Sequence, residues 1–173
     1  MDISLEQHEL LATMGAALLQ VQMAEKVIRL CMTIVLPRQT PLTLDSLQQQ
    51  EESEQSKTIG YFLAELRKRT NIDASFDQLL KDFLKNRNDF VHDLSRVPNW
   101  KLRTPEQAVV ALQFILMFIR QTDEVVKIFV GIILSWQQQQ GISGSPLPEN
   151  EWFSEVELSY KPLAAFYIGS RGT

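Results

Sequence analysis

Lys85 to Leu94, KNRNDFVHDL, is the stretch of this chain whose residue types and spacing suggest chemistry. Apolar residues at Phe76, Leu79, Leu80, Phe83, Leu84, Phe90, Val91 and Leu94 follow helical spacing, and Arg87 interrupts their stripe, four residues after Phe83 and three before Phe90. In a continuous helix its Cα therefore points towards the interior or a partner, where a guanidinium needs an acceptor or a wet cleft. A ligand phosphate would serve, and so would a buried carboxylate. His92, five residues on, lies about 140° round the helix from Arg87. It shares its strip instead with Lys85, Asn88, Asp89 and Arg96, at spacings of three and four. If this helix lines a cleft, Arg87 and His92 could both reach one phosphate.

These residues resemble a known motif. Arg87-Asn88-x-x-Val91-His92 is similar to the Arg-x(4 to 6)-His signature of the HEPN superfamily, including the polar residue that often follows the Arg. Thr58-Ile59-Gly60-Tyr61-Phe62 resembles, loosely, the Thr-Leu-Gly-x-Leu helix start found some thirty residues earlier in such proteins. The likeness covers Thr58 to Leu94. It implies a helical domain and a metal-independent RNA endonuclease of a bacterial toxin or defence system. Arg87 and His92 would be the catalytic residues, with Asn88, Lys85 and Arg96 holding RNA. His92 would move protons at the ribose 2′-oxygen or the leaving 5′-oxygen, Arg87 would stabilise charge on the phosphate, and Asn88 would orient one of its oxygens. The resemblance also implies a homodimer with two motifs face to face, and an antitoxin or other regulatory protein as partner. In one respect the chain departs from the pattern. Toxins controlled by a nucleotidyltransferase often carry Tyr two residues after the His, and here that position is Leu94, so control through that Tyr is not implied.

Two other readings of the same residues stand beside the enzyme. One is a non-catalytic module whose cleft binds a nucleotide, an RNA segment or a partner protein. The other is a satisfied polar network between helices, joined to Glu25 or Asp89.

The elements that must position the motif follow from periodicity. With 173 residues, 45% of them hydrophobic, the chain can bury one substantial core, and a single domain spanning 1–173 is expected, helical over 5–145 with a C-terminal arm over 146–173. Leu5 to Leu36 reads as a long helix with its stripe at Leu11, Met14, Leu18, Val21, Ile28, Met32 and Val35, a face widened by Leu10, Ala17, Ala24, Val27, Cys31 and Ile34, and it is ended by Pro37. Glu25 falls within that spacing, either at a stripe edge beside Arg29 or reaching towards Arg87. Pro37 to Ser56 is polar and Gln-rich, a connection. Lys57 to Arg69 returns to helical spacing and closes on three cations that suit a helix C-terminus. The motif helix opens at Asn71 or Asp73 and must stop near Val97-Pro98. Thr104-Pro105-Glu106-Gln107 starts the most apolar helix of the chain, expected to be central and nearly all-round buried, with a possible dimer face. Gly141 to Pro146 stops it. Beyond lies an arm too aromatic to be a free tail. The fold class expected is thus all-α, a helical bundle of four main helices plus an ordered arm.

Charge supports an anionic ligand only locally. The net charge is −4, yet residues 57–103 carry ten basic and six acidic side chains, between flanks of −5 and −3. No Gly-rich phosphate loop, nucleophile elbow or zinc-type Cys/His spacing occurs, so neither metal nor cofactor is expected. The single cysteine, Cys31, reads as a buried inert thiol. The acidic N-terminus does not read as a signal peptide, and polar residues break the apolar run of the last helix, so a cytoplasmic protein with no membrane association is expected.

Overall fold

The computed structural model describes residues 5–35, 58–142 and 148–170. The protein is all-α and, among the described residues, has four main helices and an ordered C-terminal arm, in line with the periodicity. The helices are α1 (Leu5–Ile34), α2 (Ile59–Arg69), α3 (Ala74–His92) and α4 (Pro105–Gln139). Two three-residue strands, β1 (Thr70–Ile72) and β2 (Ile168–Ser170), add a small antiparallel ladder. The expected connection from Pro37 to Ser56 lies outside the described residues.

Local chemistry explains the helix ends. Thr58 caps α2 by accepting from Tyr61 N–H at 3.3 Å. Asp73, one of the two candidate openers, caps α3 by accepting from the N–H groups of Ser75 and Phe76 at 2.8 and 3.2 Å. Thr104 accepts from Gln107 N–H, while the Gln107 side chain reaches back to Arg103 N–H at 2.8 Å, a variant of the capping box. At the far end of α4, Gly141 takes φ +64°, and the N–H groups of Gly141 and Ile142 bond the carbonyls of Gln138 and Gln137. One boundary differs from expectation. α3 stops at His92, not near Val97, because Asp93 leaves helical space at φ −150° and a short 3₁₀ turn, Leu94–Arg96, carries the chain on.

The chain divides into two compact units, residues 1–24 with 78–125 and residues 25–77 with 126–173. In the first, Leu10, Ala17 and Val21 of α1 are buried, as are Leu80, Phe83 and Phe90 of α3 and Ala111, Ile115 and Phe118 of α4. Phe118 meets Phe83 and Phe90 at ring-centroid distances of 6.2 and 5.5 Å, which fixes α3 against α4 here. In the second, Ile28 and Cys31 of α1, Phe62, Leu63 and Leu66 of α2, Phe76, and Ile128 and Phe129 of α4 are buried. Burial pushes the Cys31 thiol up to about 12, which keeps it protonated and inert.

Two stripes differ from the sequence reading. On α1 the buried line runs through Leu10, Ala17, Val21, Ala24, Ile28 and Cys31, leaving Leu11 and Leu18 exposed. Because α1 is apolar almost all round, periodicity alone could not choose the inward face. On α4 the run Val125–Gly131 is buried apart from half-buried Val130, and Ile132 and Ile133 continue it. The preceding turns expose Val109, Val110, Leu116 and Met117. All-round burial therefore holds for the second half only; Phe129 and Ile133 are buried there, while in the first half Ile115 is buried and Ile119 half-buried.

The arm is ordered by contacts that no local pattern announces. Asn150 caps α5 (Glu151–Glu155) by accepting from Phe153 N–H, a wide π turn (Val156–Tyr160) follows, and α6 (Ala164–Tyr167) leads into β2. Val156 and Ala164 are buried, whereas Leu158 and Phe166 remain 79% and 59% exposed. Lys127, only 9% exposed, is held by Glu155 at 2.6 Å. β2 pairs with β1 in the register Ile72↔Ile168, and Asp73 N–H continues the ladder to the Tyr167 carbonyl at 3.1 Å.

Candidate functional site

The C-terminal turns of α3 bring Arg87, Asn88 and His92 together. A guanidinium nitrogen of Arg87, Nη1, lies 2.7 Å from His92 Nε2 and donates to Asn88 Oδ1 at 3.1 Å, and both contacts are solvent-exposed. The 140° offset expected from the helical wheel applies to the Cα atoms. The length of the Arg87 side chain closes that gap. Its Cα does sit on the inward stripe, between buried Phe83 and Phe90, but the side chain leaves that face at the end of the helix and is half-buried. Since a guanidinium only donates, His92 Nε2 accepts here, and the ring proton in this arrangement is on Nδ1.

Asp89 beneath this group is 5% exposed, although the sequence places it on the polar strip. Its carboxylate accepts from Lys85 Nζ at 3.0 Å and faces Arg96 Nη1 at 3.5 Å. Arg96 Nε also pairs with Asp93 at 3.0 Å. Lys85 and Arg96, expected to hold RNA, thus already answer carboxylates, though both side chains remain largely exposed. The Ser95 hydroxyl, and then the charge of Arg96, hold the Asp93 carboxyl below its usual range. Lys85, Arg87 and Arg96 against Asp89 and Asp93 leave this end of α3 with one net positive charge, before any proton on His92.

Chemically, the cluster offers a bidentate phosphate donor, an amide and an imidazole within one hydrogen-bonded group. A phosphate that engaged the guanidinium would release Nε2 for proton transfer. Among the described residues no group of three or more His, Cys, Asp or Glu side chains is placed to hold a metal ion, and no helix is long and apolar enough to cross a membrane.

The second unit contains an open cavity of about 420 Å³ that the sequence did not announce, lined by Arg67, Thr70, Asn71, Ile72, Ala74 and Asp77. Arg67 Nε is held by Asp77 at 2.6 Å, so charge within it is already balanced. The only signal for it in the sequence is the cationic end of α2 followed by an acid-rich helix start. Compared with protein-family models, with curated proteins and with solved structures, the chain gives no match in any of the three, and the likeness to HEPN proteins rests on the motif residues alone.

Proposed function

We propose that this protein binds RNA at the C-terminal end of α3 and cleaves it without a resident metal, in the cytoplasm, as part of a toxin or defence system held in check by a partner protein. The observation that carries this reading is the exposed contact of Arg87 with His92 at 2.7 Å and with Asn88 at 3.1 Å. Arg87 anchors the scissile phosphate and stabilises charge on its oxygens, Asn88 orients one oxygen, and His92 moves the proton at the 2′-oxygen or the leaving 5′-oxygen. Lys85 and Arg96 contribute less to binding, because Asp89 offsets both.

A second reading is favoured by the state of His92. With Nε2 in contact with Arg87, the imidazole braces the guanidinium, which suits a module that binds a phosphate and does no chemistry.

Cleavage of total and transfer RNA in the presence of chelator, together with RNA binding and melting, separates the two. For the enzyme, His92→Ala lowers turnover about 10²–10⁴-fold and leaves binding nearly intact, because proton transfer matters mainly in the transition state. Arg87→Ala lowers both. Neither variant loses more than about 1 kcal/mol of stability, because His92 is exposed and half-buried Arg87 meets it in a contact open to solvent. Binding without cleavage selects the second reading. A wild type that neither binds nor cuts, with variants that unfold, makes the cluster structural.

A further inference from the structure

The outward face of α1 carries a pattern that the core does not use. Leu5, Glu9, Ala12, Ala16, Leu19, Met23, Lys26 and Leu30 recur at alternating spacings of four and three, and all are exposed. That spacing is the a/d seam of a coiled coil, drawn on the side of the helix opposite Leu10, Ala17, Val21 and Ala24. Beside it stands Gly15, where an added Cβ would meet nothing within 4 Å. A mid-helix glycine weakens the helix, and packing among the described residues does not call for this one.

The seam is complementary to itself. In an antiparallel pair each layer joins an a residue of one helix to a d residue of the other. When α1 is laid antiparallel on a copy of itself about a two-fold axis passing between Ala17 and Leu18, small Ala16 meets the partner's large Leu19. Small Ala12 likewise meets the partner's large Met23. Glu9, an acid at an a position, meets the partner's Lys26, a base at a d position, and Leu5 meets the partner's Leu30. Small meets large in the central layers, acid meets base in the next and leucine meets leucine at the ends, over about seven turns of helix. Neither Glu9 nor Lys26 has an ion-pair partner among the described residues.

We propose that this face of α1 is the docking surface for a second copy of the chain, joined as an antiparallel α1–α1 pair. A two-fold interface uses the same patch on both copies, which is the property this seam has and an arbitrary apolar face lacks. Alanine at one position of each central layer lets the two backbones approach closely, and Gly15 removes a further obstacle. The inference rests on α1 alone and does not depend on RNA cleavage.

Light scattering and sedimentation over a range of concentrations test it on the full chain. Wild type should dimerise. Leu19→Glu and Met23→Glu, both at exposed positions and so compatible with the fold, should each weaken the dimer about a hundredfold or more while the circular dichroism stays helical. Glu9→Lys and Lys26→Glu should each weaken it by up to about tenfold, and the double exchange Glu9→Lys with Lys26→Glu should restore the affinity, because each acid again faces a base. Ala12→Cys together with Met23→Cys should form disulfides between copies, whereas Ala12→Cys alone should not. A wild type that stays monomeric at the highest concentration tolerated overturns the proposal. So does a dimer indifferent to Leu19→Glu, a double exchange no better than the single ones, or efficient cross-linking by Ala12→Cys alone, which marks a parallel pair.

Discussion

At its N-terminal end α3 is tied to residues remote in sequence. Phe76 packs on Phe129 and Tyr167 with ring centroids 5.7 and 5.3 Å apart, the preceding strand pairs with Ile168–Ser170, and Asp77 holds Arg67. At its C-terminal end the cluster residues contact one another along the helix and the turn that follows it. Arg87 reaches Asn88 and His92, one and five residues away, and Asp89 answers Lys85 and Arg96 four before and seven after it. The first end is buried and aromatic; at the second, Phe90 still packs on Phe118, but the group formed by Arg87, Asn88 and His92 is polar and its contacts are solvent-exposed. A group held by distant segments stabilises the fold because it closes long loops, whereas a group held by its own helix costs the fold little and stays available for a ligand.

The difference predicts where substitutions hurt. Phe76 is buried to 1% exposure, so Phe76→Ala should cost about 3–5 kcal/mol in a denaturant melt, and Phe129→Ala a similar amount. Because the two rings touch, the double variant should cost less than the sum of the single ones. A loss near zero for Phe76→Ala would remove the distinction between the ends of α3, since the buried end would then be no more structural than the exposed one.

The same contrast explains what the sequence could and could not reveal. Periodicity located all four main helices, and capping chemistry at Asp73 and Thr104 placed their starts, since both signals lie within a few residues. The proximity of Arg87 and His92 was legible for the same reason, although the reach of the Arg87 side chain and the burial of Asp89 were not. β1 and β2 were not legible: each is three residues long and finds its partner some hundred positions away. Lys127 was hidden too, as nothing near it in sequence says that Glu155 will cover it. On α1 the inward face was misplaced by a fraction of a turn because the outward face is apolar as well, which is the property that suggests a second copy.

Glycine offers a smaller and sharper test of distant against local packing. A Cβ at Gly131 would lie 2.9 Å from the Tyr160 carbonyl carbon and 3.0 Å from Lys161 N, both backbone atoms that cannot step aside cheaply. Gly131→Ala should therefore destabilise by about 1–3 kcal/mol, despite the better helix propensity of alanine. At Gly15, with open space around it, the same change should stabilise by up to about 1 kcal/mol. That measurement belongs in the Leu19→Glu background, where the proposed α1 seam is disengaged. Equal signs at the two positions would show that the arm does not press on α4 at Gly131.

The smallest effect concerns two aspartates that flank α3 and share a local device, a serine two residues on. The Ser75 hydroxyl, followed by the N–H groups of Phe76 and Ser75, holds the Asp73 carboxyl below its ordinary value of 3.8. The Ser95 hydroxyl, followed by Arg96, does the same for Asp93. A carboxyl depressed in the folded state contributes stability that is fully present above the ordinary value and is lost as pH falls through the depressed one. Stability should thus decline with acid from about pH 4 downwards, and Glu65 and Glu106, also depressed, should keep part of that decline in any single variant. Asn keeps the capping oxygen and loses the titration, so Asp73→Asn should leave the melt at neutral pH nearly unchanged and flatten the acid decline. Asp93→Asn should flatten it less, because Asp93 orders only the 3₁₀ turn, and its loss should register in amide exchange at Arg96 and Val97 rather than in global melting. Melts from pH 5 to pH 2 for both variants, with exchange rates alongside, decide the matter. An equal flattening of the global melt by the two would mean that the C-terminal end of α3 is as tightly coupled to the core as the N-terminal end, and the contrast between them would not stand.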